Sequence, residues 1–502
     1  MKTRTIVDSG FDGIVADIEC QITNGLPTII IVGFASKAVD ESKERIRAAF
    51  TSSKIPFPKK RITINLAPAD LPKNQTGLDL AIAASILQSS SIVSPISKKA
   101  IFFGEIGLDG NIRAIRGIIG KLLTAKKHGL DEVFLPVDNI NQAKLVKGLT
   151  LYPVEDLKAL YLHLTKANII KPISNYRISL PKHDKPSGDD FSDVVGQFQA
   201  KRILEIAAAG AHNVLLNGPP GTGKSMLAKT FTTILPSMTI EEILETTHLH
   251  SLQRKNYEIV RYSRPFRSPH HSASETAITG GGTDPRPGEI SLSHNGVLFF
   301  DEFPEFKRST IESLRQPLED NKITISRAKE SIDFPAKFIL IATANPCPCG
   351  YFGTDKECSC LPHNIYNYRK KISGPIIDRI DLYANVENVE HSKLLENNHI
   401  ADSSLDVRSR VEKARDIQAR RFKTSRTNST MHSREVKKFA RLTDTARDLL
   451  DKGASRLELS PRAYMRTLKV ARTIADLDDS DMILDKHIAE AIQYRPIYST
   501  NL

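Results

Sequence analysis

The stretch Gly218-Pro219-Pro220-Gly221-Thr222-Gly223-Lys224-Ser225 decides how this chain is read. It follows the apolar run Val214-Leu215-Leu216 and precedes Met226-Leu227-Ala228-Lys229-Thr230-Phe231, which has helical character. Strand, glycine-rich loop and helix, with the spacing G-x-x-x-x-G-K-S, make a phosphate-binding loop. The glycines let backbone N–H groups turn inward around phosphate oxygens, and the helix N-terminus adds positive potential. On this reading Gly218 to Ser225 cradle ATP, Lys224 reaches the β/γ-phosphates and the Ser225 hydroxyl holds Mg²⁺.

Hydrolysis needs two further roles, a carboxylate on the metal and one that polarises the attacking water. The run Gly296-Val297-Leu298-Phe299-Phe300-Asp301-Glu302 supplies both. Four apolar residues predict a buried parallel strand, whose end delivers Asp301 to Mg²⁺ and Glu302 to water. A third such strand, Phe338-Ile339-Leu340-Ile341-Ala342-Thr343-Ala344, ends at Asn345, an amide suited to orienting the water beside the γ-phosphate.

Directly after Asn345 stand four of the chain's five cysteines, Cys347, Cys349, Cys358 and Cys360, in the pattern C-x-C-x₈-C-x-C. Two matched pairs so close together predict a local metal site rather than a disulfide framework. Four thiolates suit tetrahedral zinc, with an iron–sulfur cluster as the alternative, and leave no open coordination position, so the site is expected to be structural.

Two basic insertions interrupt the nucleotide elements. The first contains Arg264-Pro265-Phe266-Arg267-Ser268-Pro269-His270-His271. Its arginines are candidates for phosphate contacts beside a base-stacking Phe266. The adjacent histidines do not face one site in regular structure, which argues against a metal there. The second, Lys322 to Phe334, alternates on both arms and predicts a β-hairpin with Arg327 and Lys329 near its tip, placed to grip a phosphate backbone or merely to aid solubility. Downstream, Gly374-Pro375-Ile376-Ile377-Asp378-Arg379-Ile380-Asp381 sets an arginine before a strand. In ring ATPases such an arginine reaches the neighbouring subunit's γ-phosphate; the plain alternative is an ion pair with Asp378 or Asp381. In the last helical run, Ser460 as N-cap and Pro461 in the first turn place Arg462 at a helix start, able to face the nucleotide.

The totals frame these motifs. At 502 residues the length suits roughly three domains. A net charge of +12 favours an anionic partner such as nucleic acid. No secretory signal opens the chain and no apolar run approaches a membrane span, so a cytoplasmic protein is expected. Residues 1–168 are expected to be one α/β domain, 169–190 a proline- and charge-rich linker, 191–390 the nucleotide core, and 391–502 a helical, charged segment. Within the first domain, strands are predicted at Thr28–Val32, Arg61–Leu66 and Ile101–Phe103, and helices at Asp40–Phe50, Leu78–Gln88 and Ile118–His128.

Gly104 to Gly110, followed by Gly117 to Leu123, resembles the proteolytic domain of Lon, where a lysine at the position of Lys121 pairs with a serine. Here the corresponding loop, Pro72 to Asp79, holds no serine, and Thr76 is the nearest hydroxyl. A Lon-like fold without protease activity is the expectation. Across nearly the whole chain, GPPGTGKS, RPFRSPHH, PGEISLSHNGVLFFDE, ATANPCPCG, SGPIIDRID and SPRAYMRTLKVARTIADL together resemble the YifB/ComM family of magnesium-chelatase-like AAA+ ATPases. The resemblance implies a multidomain α/β protein. It has a Lon-like (ribosomal S5 domain 2-like) α+β N-domain, a P-loop αβα core with a helix-2 insert, and a C-terminal all-α lid. It makes Asn345 sensor 1, Arg379 the arginine finger and Arg462 the sensor 2 arginine. It further implies a homo-hexameric ring acting on single-stranded or branched DNA, with the two insertions lining its pore. A chelatase-type or chaperone-like ATPase that remodels a protein partner is the second reading, and an active Lon-like protease the weakest.

Overall fold

The computed structural model describes residues 2–9, 11–33, 37–68, 76–174, 189–253, 259–282, 285–326, 331–372, 374–389 and 402–495. Its contacts divide the chain into two units, Met1–Pro181 with Thr239–Tyr262, and Lys182–Met238 with Ser263–Leu502. The segment 239–262, which lies within the span expected for the nucleotide core, thus makes its contacts with the N-terminal unit.

In the N-terminal unit, strands Lys2–Ser9, Asp12–Thr23, Arg61–Ala67 and Thr28–Val32 form one sheet in that order. The last pair is parallel and the others antiparallel. Alternation orients them: Ile62, Ile64 and Leu66 point inward from Arg61–Ala67 while their neighbours face outward. The parallel strands Ala100–Phe102, Glu132–Pro136 and Thr150–Val154 make a second sheet. Helices Lys37–Ser52, Asp79–Ser89, Ile118–Lys127 and Leu157–Leu164 fall close to the predicted runs or add to them. The helix Ile240–Ser251 packs here too: the His248 and Phe11 rings lie 4.4 Å apart between centroids and tilted by 48°, and His248 Nε2 lies 2.6 Å from the Phe11 carbonyl.

The second unit is built on five parallel strands in the order Phe266–Arg267, Val297–Phe300, Ile339–Ala344, Val214–Asn217 and Leu382–Asn385. Val297–Phe300 and Ile339–Ala344 are buried along their whole length, as strands covered on both faces must be. Register fixes the functional edge. Asn217 pairs with Ala344 and Phe300 with Ala342, so the residues after each strand emerge at the same carboxyl end. The C-terminal part of this unit is helical, with Ser404–Phe422, Ser433–Phe439, Asp444–Arg456, Pro461–Leu477 and Asp485–Gln493. Ser460 does cap its helix, accepting from Ala463 N–H.

Helix Ser404–Phe422 reads from the sequence as helical and charged, and some of its polar side chains turn inward. Arg415 donates twice to the Ala208 carbonyl, at 3.0 and 2.6 Å, and Gln418 donates to Ala209 at 3.0 Å. These are last-turn carbonyls of helix Phe198–Gly210, which have no partner within their own helix. A second polar anchor is fully buried. Asp381 accepts from Arg466 and lies 3.2 Å from His212 Nδ1, while His212 Nε2 lies 2.8 Å from the Thr473 hydroxyl. Burial opposes ionisation of Asp381, but the Arg466 charge and the His212 contact outweigh it and hold the carboxyl below its usual range.

Asp381→Asn leaves Arg466 and His212 facing a neutral amide, at an expected cost of about 3 kcal/mol. Because the folded-state pKa lies below the unfolded one, this stabilisation is present above pH ~4 and is lost as pH falls further. Denaturant unfolding of parent and variant should therefore differ at pH 7 and converge in acid. Equal midpoints at pH 7 would refute the assignment.

Candidate active site

The phosphate loop has the backbone its sequence calls for. Gly221 and Gly223 sit at φ +83° and +85°, in the left-handed region where a side chain would be strained. The helix Lys224–Thr230 starts at once, so Lys224 is its first residue. Lys224 is nearly buried, and its Nζ donates to the carbonyls of Gly218 (2.6 Å) and Pro219 (2.7 Å) and to Asn345 Oδ1 (3.2 Å). Burial pulls its pKa below the usual ammonium value, against the opposing charges of Asp301 and Glu302.

Three strand ends meet beside it. Ser225 Oγ donates to Asp301 Oδ2 at 3.0 Å. Thr343 Oγ1 donates to Asp301 Oδ1 at 2.7 Å and accepts the Glu302 N–H at 2.8 Å. The hydroxyl and carboxylate fit Mg²⁺: octahedral ligands at about 2.1 Å have adjacent oxygens about 3 Å apart. Glu302 is exposed and held at φ +53°, a left-handed conformation costly for a non-glycine and concentrated at functional sites. Tyr368 lies beside the Asn345 backbone, and its pKa is pushed up to about 12 by burial and by the nearby Glu305 carboxylate.

The four cysteines converge as their spacing predicted. All four Sγ atoms lie within 4.8 Å of one another, with Cys347–Cys349 at 3.3 Å, Cys347–Cys358 at 3.7 Å and Cys349–Cys358 at 3.5 Å. Four thiolates around zinc at about 2.3 Å stand about 3.8 Å apart, so the donor set fits that ion with small adjustment. Backbone N–H groups of Phe352 and Cys349 donate to the sulfurs of Cys347 and Cys360, at 3.3 and 3.4 Å.

Arg379 and Arg462 are brought together, but not with the phosphate loop. They line a pocket of about 450 Å³ with Glu319, Arg466 and Lys469, and no residue of Gly218–Ser225 borders it. Arg379 pairs with Glu319, rather than with Asp378 or Asp381, and donates to the Pro375 carbonyl at 2.6 Å. Arg462 is exposed at the mouth of its helix.

The basic insertions behave differently from each other. Arg264 donates to the carbonyls of Pro236 (2.6 Å) and Asn295 (2.7 Å), and Arg267 makes a bidentate pair with Glu289 at 2.5 and 2.6 Å. Both guanidinium groups are engaged within the chain, because the segment must close against its own sheet. The hairpin is present, Lys322–Ser326 pairing antiparallel with Ser331–Pro335. Its tip, with Arg327 and Lys329, lies outside the described residues. In the N-terminal unit Lys121 is buried and ion-paired with Asp8, not the solvated charge a helical lysine is by default. The Thr76 side chain lies outside the described residues.

Comparison with known proteins agrees with this geometry. The family model described as "Magnesium chelatase, subunit ChlI" matches residues 190–394, "Subunit ChlI of Mg-chelatase" residues 18–139, and "Magnesium chelatase, subunit ChlI C-terminal" residues 401–495. Competence protein ComM of Haemophilus influenzae is 41% identical over 491 residues, covering 97% of this chain and 95% of its own. The chain belongs to the YifB/ComM family of magnesium-chelatase-like ATPases. YifB of Escherichia coli is likewise 41% identical, over 485 residues, 96% of this chain and 94% of its own. A shorter similarity, 25% over 218 residues, spans 41% of this chain and 25% of the DNA replication licensing factor Mcm6 of Drosophila melanogaster. Family membership and the αβα core make the chain an ATPase-type enzyme. Among the described residues no helix is long and apolar enough to cross a membrane.

Sequence reasoning missed Thr343, Tyr368, Glu319 and Arg466. Only for Thr343 was a signal available, a polar residue inside an otherwise apolar strand. Thr343→Val removes the donor to Asp301 and the acceptor of Glu302 N–H. A lost hydrogen bond to a charged group, about 1.5–3 kcal/mol, predicts a fall in kcat of about 10–100-fold with nucleotide affinity retained. Steady-state ATPase and fluorescent-nucleotide titration check this; unchanged turnover rules the role out.

Proposed function

We propose that this chain is a Mg²⁺-dependent, ATP-hydrolysing ring motor that acts on DNA, in single-stranded or branched form, through ring subunits of one kind, six by family resemblance. The observation that carries the reading is the division of the charged groups. Lys224, Ser225, Asp301, Glu302 and Asn345 meet at one sheet edge, while Arg379 and Arg462 share a separate pocket. Two half-sites on one chain are what a ring needs, each subunit presenting its phosphate loop to one neighbour and its arginines to the other. Ser225 and Asp301 would hold Mg²⁺, Glu302 would polarise water, Asn345 would orient it, and Arg379 with Arg462 would reach the neighbour's γ-phosphate. Cys347, Cys349, Cys358 and Cys360 would hold structural zinc.

DNA as the partner is supported by the +12 charge, by the name competence protein borne by a relative 41% identical, and by the similarity to a replication licensing factor. Of the candidate phosphate contacts, Arg327 and Lys329 on the hairpin are favoured. Arg264 and Arg267 would have to leave internal partners first. The N-terminal unit is read as a Lon-like domain without protease activity, Lys121 being neutralised by Asp8, and the protein as cytoplasmic. A chelatase-type or chaperone-like ATPase is the second reading, favoured by the family models matched. A stable protein partner recovered without DNA binding would select it.

ATP turnover measured with no DNA, single strands, duplex and a four-way junction should rise several-fold with single-stranded or branched DNA; no response to any DNA would overturn the DNA reading. Replacing Arg327 and Lys329 by alanine should weaken DNA binding and lower the salt slope of log K by up to about two. Arg379→Ala should cut turnover by about 10³-fold or more while nucleotide still binds. Retained turnover would remove the arginine from the mechanism.

A further inference from the structure

We infer that the metal held by Cys347, Cys349, Cys358 and Cys360 is a working part of the nucleotide site, setting Asn345 in place for hydrolysis. The inference rests on the ATPase reading above and concerns what tunes that site.

The cysteine loop is joined to Asn345 and to the phosphate loop at both of its ends. Cys347, fully buried, is the second residue after Asn345, with only Pro346 between them. The turn that follows, closed by Gly350 N–H on the Cys347 carbonyl at 3.0 Å, lies on the phosphate loop itself. A Cβ at Gly350 would stand 2.6 Å from Pro220 Cδ, and the residue's φ is +87°. This glycine is required both by its conformation and by its closeness to Pro220. At the other end, Cys360 leads through Leu361 into the helix Pro362–Lys370. That helix returns to the starting point: Tyr368 lies beside the Asn345 backbone, and Arg369 reaches the Pro346 carbonyl at 3.4 Å while lying over the Phe352 ring at 5.2 Å.

Beyond the half-buried Tyr351 and Phe352 and the short turn at Thr354, the loop is solvent-facing. Gly353, Asp355, Lys356, Glu357 and Ser359 are exposed, so this stretch has little apolar surface to bury. A tetrahedral thiophilic ion supplies the missing cross-link, and its binding free energy becomes ordering free energy for the loop. With no open position it activates no water; its contribution is positional. The backbone cradle of Gly218–Ser225 follows a different strand, Val214–Asn217, and the cysteine loop meets it at Pro220, whereas Asn345 is joined to Cys347 through one residue. Metal loss should therefore separate binding from turnover.

The test uses the full chain, purified under reducing conditions. Elemental analysis should find about one zinc per chain. Stripping with a mercurial and a chelator should lower kcat by about 10–100-fold, the usual cost of disturbing groups that orient a site. Affinity for a fluorescent ATP analogue should change little, and Zn²⁺, but not additional Mg²⁺, should restore the rate. Two variants keep the thiols intact. Tyr368→Phe removes only the hydroxyl and Gly350→Ala pushes against Pro220; both should retain zinc and nucleotide affinity yet lose turnover. No bound metal, or stripped protein turning over at the parental rate, overturns the inference. If stripping unfolds the chain, parental turnover in both variants overturns it instead. The untreated protein's own turnover, measured in the same assay, distinguishes a failure here from a failure of the ATPase reading.

Discussion

Three adjacent parallel strands, Val297–Phe300, Ile339–Ala344 and Val214–Asn217, set everything at the nucleotide site. Their pairing register brings Asp301, Asn345 and Gly218 out at one edge, and a one-residue slip would turn each neighbouring side chain to the opposite face. Thr343, on the middle strand, ties the Asp301 carboxylate and the Glu302 backbone into that register. The strands are buried on both faces, so this edge is rigid. The side chains at this edge are consequently held by the sheet itself, the kind of preorganisation from which electrostatic catalysis obtains its advantage.

Much of this was legible because it depends on local sequence. The glycines of the phosphate loop, the apolar run ending in Asp301-Glu302 and the paired cysteines each carry their chemistry within a few residues. The Asp12–Thr23 strand went unpredicted although Ile14, Ala16, Ile18, Cys20 and Ile22 alternate with polar residues from Asp17 onward, a period-two signal that was available. What remained hidden depends on partners distant in sequence. Helix Ile240–Ser251 was not read from the sequence, and nothing local reveals that it packs with Phe11. Glu319 could not be named as the Arg379 partner, 60 residues away, when Asp378 and Asp381 stood beside it. Asp381 instead satisfies Arg466 and His212, because a buried carboxylate needs partners that close fully around it.

The arginines illustrate why charge counts mislead. Arg264, Arg267 and Arg415 would all be scored as nucleic-acid candidates by composition, yet each is engaged with a carbonyl or carboxylate of its own unit. The guanidinium fork suits such internal closures, particularly at helix ends and loop carbonyls that lack other donors. The net charge of +12 therefore overstates the cationic surface available to DNA, and the hairpin insert becomes the more informative place to look.

The central claim is that hydrolysis occurs between chains: the phosphate loop and the Arg379–Arg462 pocket of one subunit serve two different active sites. Mixing Lys224→Ala chains with Arg379→Ala chains tests it directly, because each variant alone lacks one half of every site. If sites form between subunits, the mixture contains interfaces that join an intact phosphate loop to an intact arginine pocket, and ATPase activity should reappear well above that of either variant. Activity that stays at the average of the two variants at every mixing ratio would contradict the account.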